Sequence, residues 1–291
     1  MQTNLTRRKM ETSGFVLKSV GLPLFFLLFT LLFLCPPKAH AADYFTVSGC
    51  SISNVGYLTE LAAEYEKRTG VKIFVRGGGS VVGIEDLRSG KVDFAASCRP
   101  RDAGDPADIT YIQVAWDALA FIVHKSNPLE NVTLNEVRSI YAGTMTDWRQ
   151  LKGREAPIKI FISRTKKGLS GVEASTKYLV LNGKEPVASA NTVFVASSGL
   201  VEQMVEENPE GFATTGITSA RKRNVKILKV NGIAHTNKAI INNQYPLKRP
   251  LFILMPKNPK PEVKKFVDFT LSKTGQRFIQ SLNVVSILDV K

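Results

Sequence analysis

Short apolar runs rich in β-forming residues alternate with amphipathic helical patterns from residue 44 onward. Residues 44–47, 71–75 and 92–96 are predicted strands. Residues 55–68 and 81–89, which lie between them, place apolar side chains at helical spacing and are predicted helices. A chain with this alternation buries a mainly parallel sheet between layers of helices. The sequence therefore predicts an α/β fold.

The rest of the sequence continues the alternation. The further predicted strands are 118–123, 158–162 and 250–255, and the further predicted helices are 134–141, 171–181, 198–207 and 261–280. With 291 residues, of which 44% are hydrophobic, the chain is long enough and apolar enough for one large or two ordinary domains.

The first 41 residues have the pattern of a secretory signal peptide. Basic residues between positions 7 and 18 precede an apolar run at 20–35, and an Ala-His-Ala pattern follows at 39–41. The alternative is a retained membrane anchor, but the run has about 16 residues where a bilayer requires roughly 20, and Pro23 interrupts it. We therefore expect cleavage after Ala41 and export to the periplasm.

The net charge of the chain is positive but does not by itself identify a partner. It is +14 for the whole sequence and +10 once residues 1–41 are removed. A field of this sign attracts anions and membrane surfaces alike. Because the sequence contains no zinc-finger spacing, helix-turn-helix signal or aromatic RNA-binding motif, we expect no nucleic-acid partner.

Few residues are suited to catalysis. His124 and His235 lie beside no serine, cysteine or carboxylate motif that fits a catalytic triad or a zinc site. A G-x-x-x-x-G-K-[ST] phosphate loop is also absent from the sequence. We therefore expect no enzymatic activity, no metal and no organic cofactor.

Glycine- and serine-rich turns occur where predicted strands give way to helices or loops. They lie at 48–51, 79–80, 97–99 and 168–171. A helix start offers unpaired N–H groups and the positive end of the helix dipole, and a nearby hydroxyl adds a donor. Each turn alone is ordinary helix capping, but several of them together with Arg99 and Arg164 predict an anion site.

Segments spread along the chain carry a family resemblance. They are Val47-Ser48-Gly49, Gly77 to Ser80, Asp93 to Ser97, Ile140 to Gly143 with Asp147-Trp148, Ser170-Gly171, Tyr245 to Leu251 and Gly275-Gln276. In this order they resemble the phosphate-binding proteins of bacterial ATP-driven phosphate importers, which have the type II periplasmic binding protein fold.

The resemblance implies two α/β lobes joined by two crossover strands, with a ligand cleft between them. Lobe one would comprise residues 42–121 and 247–291, and lobe two residues 122–246. A monomer of this kind would capture an oxyanion, with phosphate as the first candidate, and deliver it to a membrane permease. The ligand residues that the resemblance implies are Ser51 or Ser53, Ser80, Ser97, Cys98, Arg99, Arg164, Ser170 and Gly171.

Differences from the family pattern leave the ligand and the role open. Cys98 stands where many members have an Asp that accepts the proton of hydrogen phosphate, although another branch has Ser followed by Arg, as Arg99 follows here. Arg99 would then either donate to the ligand or brace the pocket. Val172 replaces the Thr of a Ser-Gly-Thr turn. The alternative function is a sensor that reports a different ligand to a membrane receptor.

Cys50 and Cys98 remain after cleavage, and the resemblance places both at the ligand pocket. In an oxidising compartment we expect them to form a disulfide. The alternatives are a reduced pair that contacts a soft or thiol-reactive ligand, or two inert thiols. A thiol-disulfide enzyme is disfavoured because the sequence has no C-x-x-C motif.

Overall fold

The computed structural model describes residues 44–165 and 168–290, so the predicted signal peptide lies outside the described residues. The strands are β1 (Tyr44–Gly49), β2 (Lys72–Gly77), β3 (Phe94–Ser97), β4 (Thr110–His124), β5 (Asn131–Val132), β6 (Lys159–Thr165), β7 (Gly168–Leu169), β8 (Thr192–Val195), β9 (Gly211–Gly216), β10 (Val225–Ile227), β11 (Lys229–Val230), β12 (Lys248–Met255) and β13 (Val285–Ser286).

Helices follow most of the strands. They are α1 (Ser51–Ser53), which continues through a π-helical turn (Asn54–Leu58) into α2 (Thr59–Thr69), then α3 (Ser80–Arg88), α4 (Leu134–Tyr141), a 3₁₀ turn (Trp148–Leu151), α5 (Gly171–Leu179), α6 (Ser198–Glu207), α7 (Ile217–Ala220), α8 (Asn237–Ile241), α9 (Pro261–Leu271) and α10 (Lys273–Ser281). In the part of the chain that the structure describes, no helix has the length and apolar character needed to cross a membrane.

A mixed sheet runs through the described residues in the order β2-β1-β3-β12-β4-β9-β6-β7. β10 and β13 also pair with β4, β8 pairs with β6, and β5 and β11 form a separate ribbon. β1 lies parallel to both β2 and β3, whereas β12 is antiparallel to β3 and β4. The α/β fold is confirmed, but the prediction of a mainly parallel sheet is wrong, because β4 and β12 run antiparallel to their neighbours.

The long strand β4 joins two halves of the sheet. Its residues up to Ala118 pair with β12, and from Leu119 onward it pairs with β9 instead. Each half buries its own aromatic cluster. Phe45, Phe94 and Phe266 pack together in the half that contains β1, and Phe121, Tyr141, Trp148 and Phe212 pack together in the half that contains β9.

Two predicted elements differ in extent from the structure. The strand predicted at 118–123 begins earlier, at Thr110, because its polar-alternating first part pairs along β12. The single helix predicted at 261–280 is two helices, since Ser272 adopts an extended conformation and its hydroxyl accepts a hydrogen bond from Gly275 N. Ser272 thus caps α10 and ends α9.

The strand ends explain where the predicted turns come together. In parallel α/β sheets the helices begin at the carboxyl ends of the strands, on one edge of the sheet. Gly49 ends β1 at a φ of 134°, and a side chain there would overlap the backbone of Ala96 on β3. Glycine at this position therefore lets the first loop cross closely over the end of β3.

Candidate anion site

Helix starts from both halves of the sheet meet at one buried place. In the first half, α1 begins at Ser51 and α3 at Ser80; in the second half, α5 begins at Gly171 and α6 at Ser198. We call Ser51, Ser80 and Cys98 the first half-site, and Ser170, Gly171 and Ser198 the second half-site. All six residues are buried.

The two half-sites are in direct contact. A Cβ atom added to Gly171 would overlap Ser80 Oγ and Cys98 Sγ, so only glycine fits there. Ser170 Oγ lies 3.4 Å from Ser198 Oγ. A Cβ added to Gly199 would lie 3.8 Å from Ser51 Cβ, which brings the start of α6 beside the first loop. Several helix N-termini with their free N–H groups and positive dipole ends therefore face one another.

Buried polar groups of the first loop lack partners in the protein. Both side-chain amide atoms of Asn54 are buried and have no hydrogen-bond partner among the described residues. Asn54 Nδ2 lies near Gly77, which also adjoins Ser51 Oγ. Buried polar groups in proteins are almost always hydrogen-bonded. These atoms are thus available to a polar ligand.

The turn after β3 is shaped by its own hydrogen bonds. Ser97 Oγ accepts from Arg99 N at 3.2 Å and donates to Arg99 O at 2.9 Å. Cys98 N donates to Ser80 Oγ at 3.2 Å, and Cys98 Sγ lies 3.7 Å from the same oxygen. Ser97 therefore fixes the turn, and the turn presents Cys98 to the second half-site.

Cys50 and Cys98 are neighbours, because Cys50 N donates to Ala96 O, two residues before Cys98, and both are free, buried thiols. The disulfide expected from the sequence is not formed in this structure, and it stays a prediction. Burial raises the pKa of the Cys98 thiol, but the hydrogen bond with Cys50, the Arg249 charge and the Ser80 hydroxyl outweigh burial and lower it to about 7. Burial and Cys98 raise the pKa of Cys50 well above its ordinary value.

An arginine that the sequence analysis did not select lies behind the site. Arg249 is 2% exposed and its Nη2 pairs with Asp117 Oδ2 at 2.8 Å. The other oxygen of Asp117 accepts from Thr218 N and Oγ1 at 2.9 and 2.8 Å. Arg249 Nη1 donates to Cys98 O at 3.4 Å and to Gly171 O at 3.5 Å, so it contacts both half-sites. The segment from Tyr245 to Leu251, which carried the resemblance most clearly, contained this residue.

Glu173 is a second functional group that sequence reasoning missed. Its carboxyl is buried, accepts from Ser163 N at 2.8 Å and is hydrogen-bonded to Ser170 Oγ. Burial, reinforced by Cys98, raises its pKa to about 8 despite the Ser163 N–H and Arg249. Glu173 is therefore mostly protonated at neutral pH. Its position three residues after Ser170, at the start of a helix, was the only sequence signal.

The two predicted arginines are engaged by carboxylates. Arg99 forms a two-pronged pair with Asp105, with both N–O distances at 2.7 Å, and so braces the loop after β3. Arg164 Nη2 pairs with Glu185 at 2.7 Å and its guanidinium carbon lies 4.9 Å from the centre of the Phe194 ring. Its Nε is buried without a partner among the described residues. In this conformation neither guanidinium joins the half-sites.

Two cavities open beside the half-sites. One of 450 Å³ lies between α3, the loop that carries Arg99 and the middle and end of α5, and it is lined by charges of both signs. Another of 280 Å³ lies between the same loop, α5 and Arg249. Both are bounded by residues of the two sheet halves.

A family model and the sequence relatives of this chain point to the same family. Residues 36–274 match the model of a PBP superfamily domain. The phosphate-binding protein PstS of Borreliella burgdorferi is 28% identical over 93% of this chain and 99% of its own length. The phosphate-binding protein PstS of Pseudomonas aeruginosa strain PAO1 is 27% identical over 81% of this chain and 84% of its own length.

A solved structure agrees with the sequence relatives. A substrate-binding protein of a phosphate ABC transporter from Clostridium perfringens, with bound phosphate, superposes with a TM-score of 0.75 at 25% identity, over 84% of this chain and all of that one. These findings confirm the resemblance predicted from the sequence and the type II periplasmic binding protein fold. The chain belongs to the PBP superfamily, a family of substrate-binding proteins.

Proposed function

We propose that this chain is a periplasmic solute-binding protein that captures phosphate between its half-sites and delivers it to an ATP-driven importer. The observation that carries the proposal is the meeting of several serine-bearing helix starts from both sheet halves at one buried place. Such starts stabilise an anion without a bound metal. The names of the relatives supply the identity of the anion.

The hydrogen-bond donors are sufficient in number and strength. Hydrogen bonds to a charged group contribute about 1.5–3 kcal/mol each. Micromolar affinity requires about 8 kcal/mol net. Serine hydroxyls and N–H groups at Ser51, Ser80 and Gly171, with the unpartnered Asn54 amide, would supply this if the lobes close and exclude water.

Arg164 stays a ligand residue in this proposal. It pairs in register with Leu169, the residue before Ser170, so its backbone adjoins the second half-site. Its unpartnered Nε and its pair with Glu185, which is half exposed, would permit the guanidinium to exchange that carboxylate for the ligand. Arg99 would brace the pocket through Asp105.

The lobe boundaries are part of the proposal. Lobe one would comprise 42–121 and 247–291, and lobe two 122–246. Two observations support the division: β4 changes its pairing partner between Ala118 and Leu119, and β12, the second connection, begins at Lys248. Binding would bring Gly171 onto Ser80, and release would separate them.

The remaining parts of the proposal concern location and partners. The protein would be exported through its signal peptide, act as a monomer and dock on a membrane permease, with no catalysis, cofactor, metal or nucleic acid. A sensor with the same fold is the second candidate. A pull-down would distinguish the two roles: capture of a permease encoded by a neighbouring gene favours transport, and capture of a membrane receptor favours sensing.

Calorimetric titration tests the binding itself. The exported form would be reduced, dialysed against an anion-free buffer, and titrated with phosphate, arsenate, sulfate and molybdate. We expect selective phosphate binding with a micromolar or lower Kd. Absence of heat with every anion, in protein shown to be folded by circular dichroism, would refute the proposed ligand.

A further inference from the structure

Cys50 and Cys98 lie at the ends of adjacent parallel strands. Gly49 on β1 is paired with Ala96 on β3, and Cys50 N donates to Ala96 O at 2.9 Å. The backbone therefore places the residue after β1 beside the turn after β3. The two thiols lie close enough to influence each other's ionisation, and each residue is 1% exposed.

The two thiols differ in what covers them. Cys98 Sγ is covered by Ser80 and by Gly171, and Cys98 O accepts from Ser175 Oγ at 3.4 Å. Gly171 and Ser175 belong to the opposite half of the site, so separation of the half-sites would uncover Cys98. Cys50 is equally buried, but burial and the neighbouring Cys98 raise the pKa of its thiol, so it is the poorer attacking group of the two.

Charged and titratable groups surround Cys98 from each element that packs against it. They are Cys50 on the first loop, Tyr57 on the π-helical turn, Asp117 on β4, Glu173 on α5 and Arg249 on β12. Arg249 is the only cation in this group and favours the thiolate. A thiol that ionises near neutral pH is a good attacking group in thiol–disulfide exchange.

We propose that Cys50 and Cys98 form a reversible thiol-oxidation site inside the anion site, in which the redox state of the pair sets the affinity for the anion. Cys98 attacks a sulfur of a small disulfide oxidant, and one thiolate of that oxidant leaves. Cys50 then loses its proton and attacks Cys98 in the mixed disulfide, which forms the Cys50–Cys98 bond and releases the second thiol. Each oxidant disulfide is reduced to two thiols and two protein thiols become one disulfide.

The link to anion binding follows from charge. A Cys98 thiolate places a negative charge at the first half-site and would repel a bound anion. The disulfide carries no charge, and it draws Cys98 Sγ toward Cys50 and away from Ser80. At a pH above about 7 the oxidised protein should therefore bind the anion more tightly than the reduced protein. This second part rests on the proposed function.

Mass spectrometry tests the oxidation site without any ligand. Wild type, Cys50→Ser and Cys98→Ser would be treated with oxidised glutathione. We expect wild type to lose two hydrogen atoms, Cys50→Ser to gain one glutathione at Cys98, and Cys98→Ser to stay unmodified. Inorganic phosphate should slow the wild-type reaction. A wild-type protein that keeps both thiols, or equally fast modification of Cys50 in Cys98→Ser, would overturn the proposal.

Phosphate titration between pH 6 and 9 tests the coupling. Phosphate itself ionises in this pH range. Because that ionisation affects both proteins equally, it drops out of the ratio of wild-type affinity to Cys98→Ser affinity. For reduced wild type we expect this ratio to be constant below pH 7 and to fall by up to about tenfold per pH unit above it. For oxidised wild type we expect the ratio to stay constant over the whole range. Equal ratios in both redox states would refute the coupling. If no form binds phosphate, the proposed function fails, while the mass readout still decides the oxidation site.

Discussion

The first and second half-sites use the same helix-start geometry but satisfy their polar groups differently. Beside the first, on the same loop as Ser51, both side-chain amide atoms of Asn54 have no protein partner among the described residues. In the second, the Ser170 hydroxyl is bound by the buried Glu173 carboxyl. The first half-site thus adjoins a free neutral amide, whereas the second adjoins the free Arg164 Nε and has its serine bound to an acid whose pKa burial raises.

Removal of Arg249 would break this comparison altogether, because Arg249 contacts both half-sites. Arg249→Met leaves Asp117 buried without its cation, and loss of one partner of a buried pair costs about 3–5 kcal/mol. We expect urea denaturation to show this decrease in the free energy of unfolding of Arg249→Met relative to wild type. Arg154→Met, which breaks a largely exposed pair with Glu210, should cost at most about 1 kcal/mol. Equal losses in the two variants would contradict the role assigned to Arg249.

Glu173→Gln isolates the acid of the second half-site. The folded pKa of Glu173 is about 8, against an ordinary value of 4.5, so its neutral form is the one that folding favours. The contribution of Glu173 to the free energy of unfolding is fully present below pH 4.5. It declines by up to about 1.4 kcal/mol per pH unit as the pH rises to about 8. Relative to Glu173→Gln, wild type should lose up to about 3 kcal/mol between pH 5 and pH 7.

Urea denaturation of wild type and Glu173→Gln at several pH values measures this difference. Parallel stability curves for the two proteins would show that Glu173 is ionised in the folded state. The second half-site would then contain a negative charge, and the comparison with the first half-site would have to be revised.

The contact between the half-sites can be tested with one methyl group. In Gly171→Ala the new Cβ would overlap Ser80 Oγ and Cys98 Sγ, and such overpacking costs about 1–3 kcal/mol. Under the proposal that the bound form keeps this contact, we expect a 10- to 100-fold loss of phosphate affinity by calorimetry. Gly104→Ala is the matched control, since a Cβ there meets open space. Unchanged affinity in Gly171→Ala would mean that the ligand-bound form does not bring these residues together.

The sequence predicted the places that depend on local chemistry. The helix starts at Ser80 and Gly171, and the convergence of the turns, follow from strand ends and glycine-serine patterns. Glu173 and Arg249 were missed because their roles depend on burial and on contacts across the chain, such as that of Arg249 with Gly171. Likewise, only the structure could show that the Arg99 guanidinium forms an ion pair with Asp105.

Arg164 decides whether the second half-site also supplies a positive charge. It is paired with Glu185 here, and a ligand would have to compete with that carboxylate. One charge-assisted hydrogen bond is worth about 1.5–3 kcal/mol, so Arg164→Ala should weaken phosphate binding by about 10- to 100-fold and leave the circular dichroism unchanged. Glu185→Gln should bind at least as tightly as wild type, because it frees the guanidinium. Wild-type affinity in Arg164→Ala would mean that the half-sites bind the anion through helix starts and hydroxyls alone.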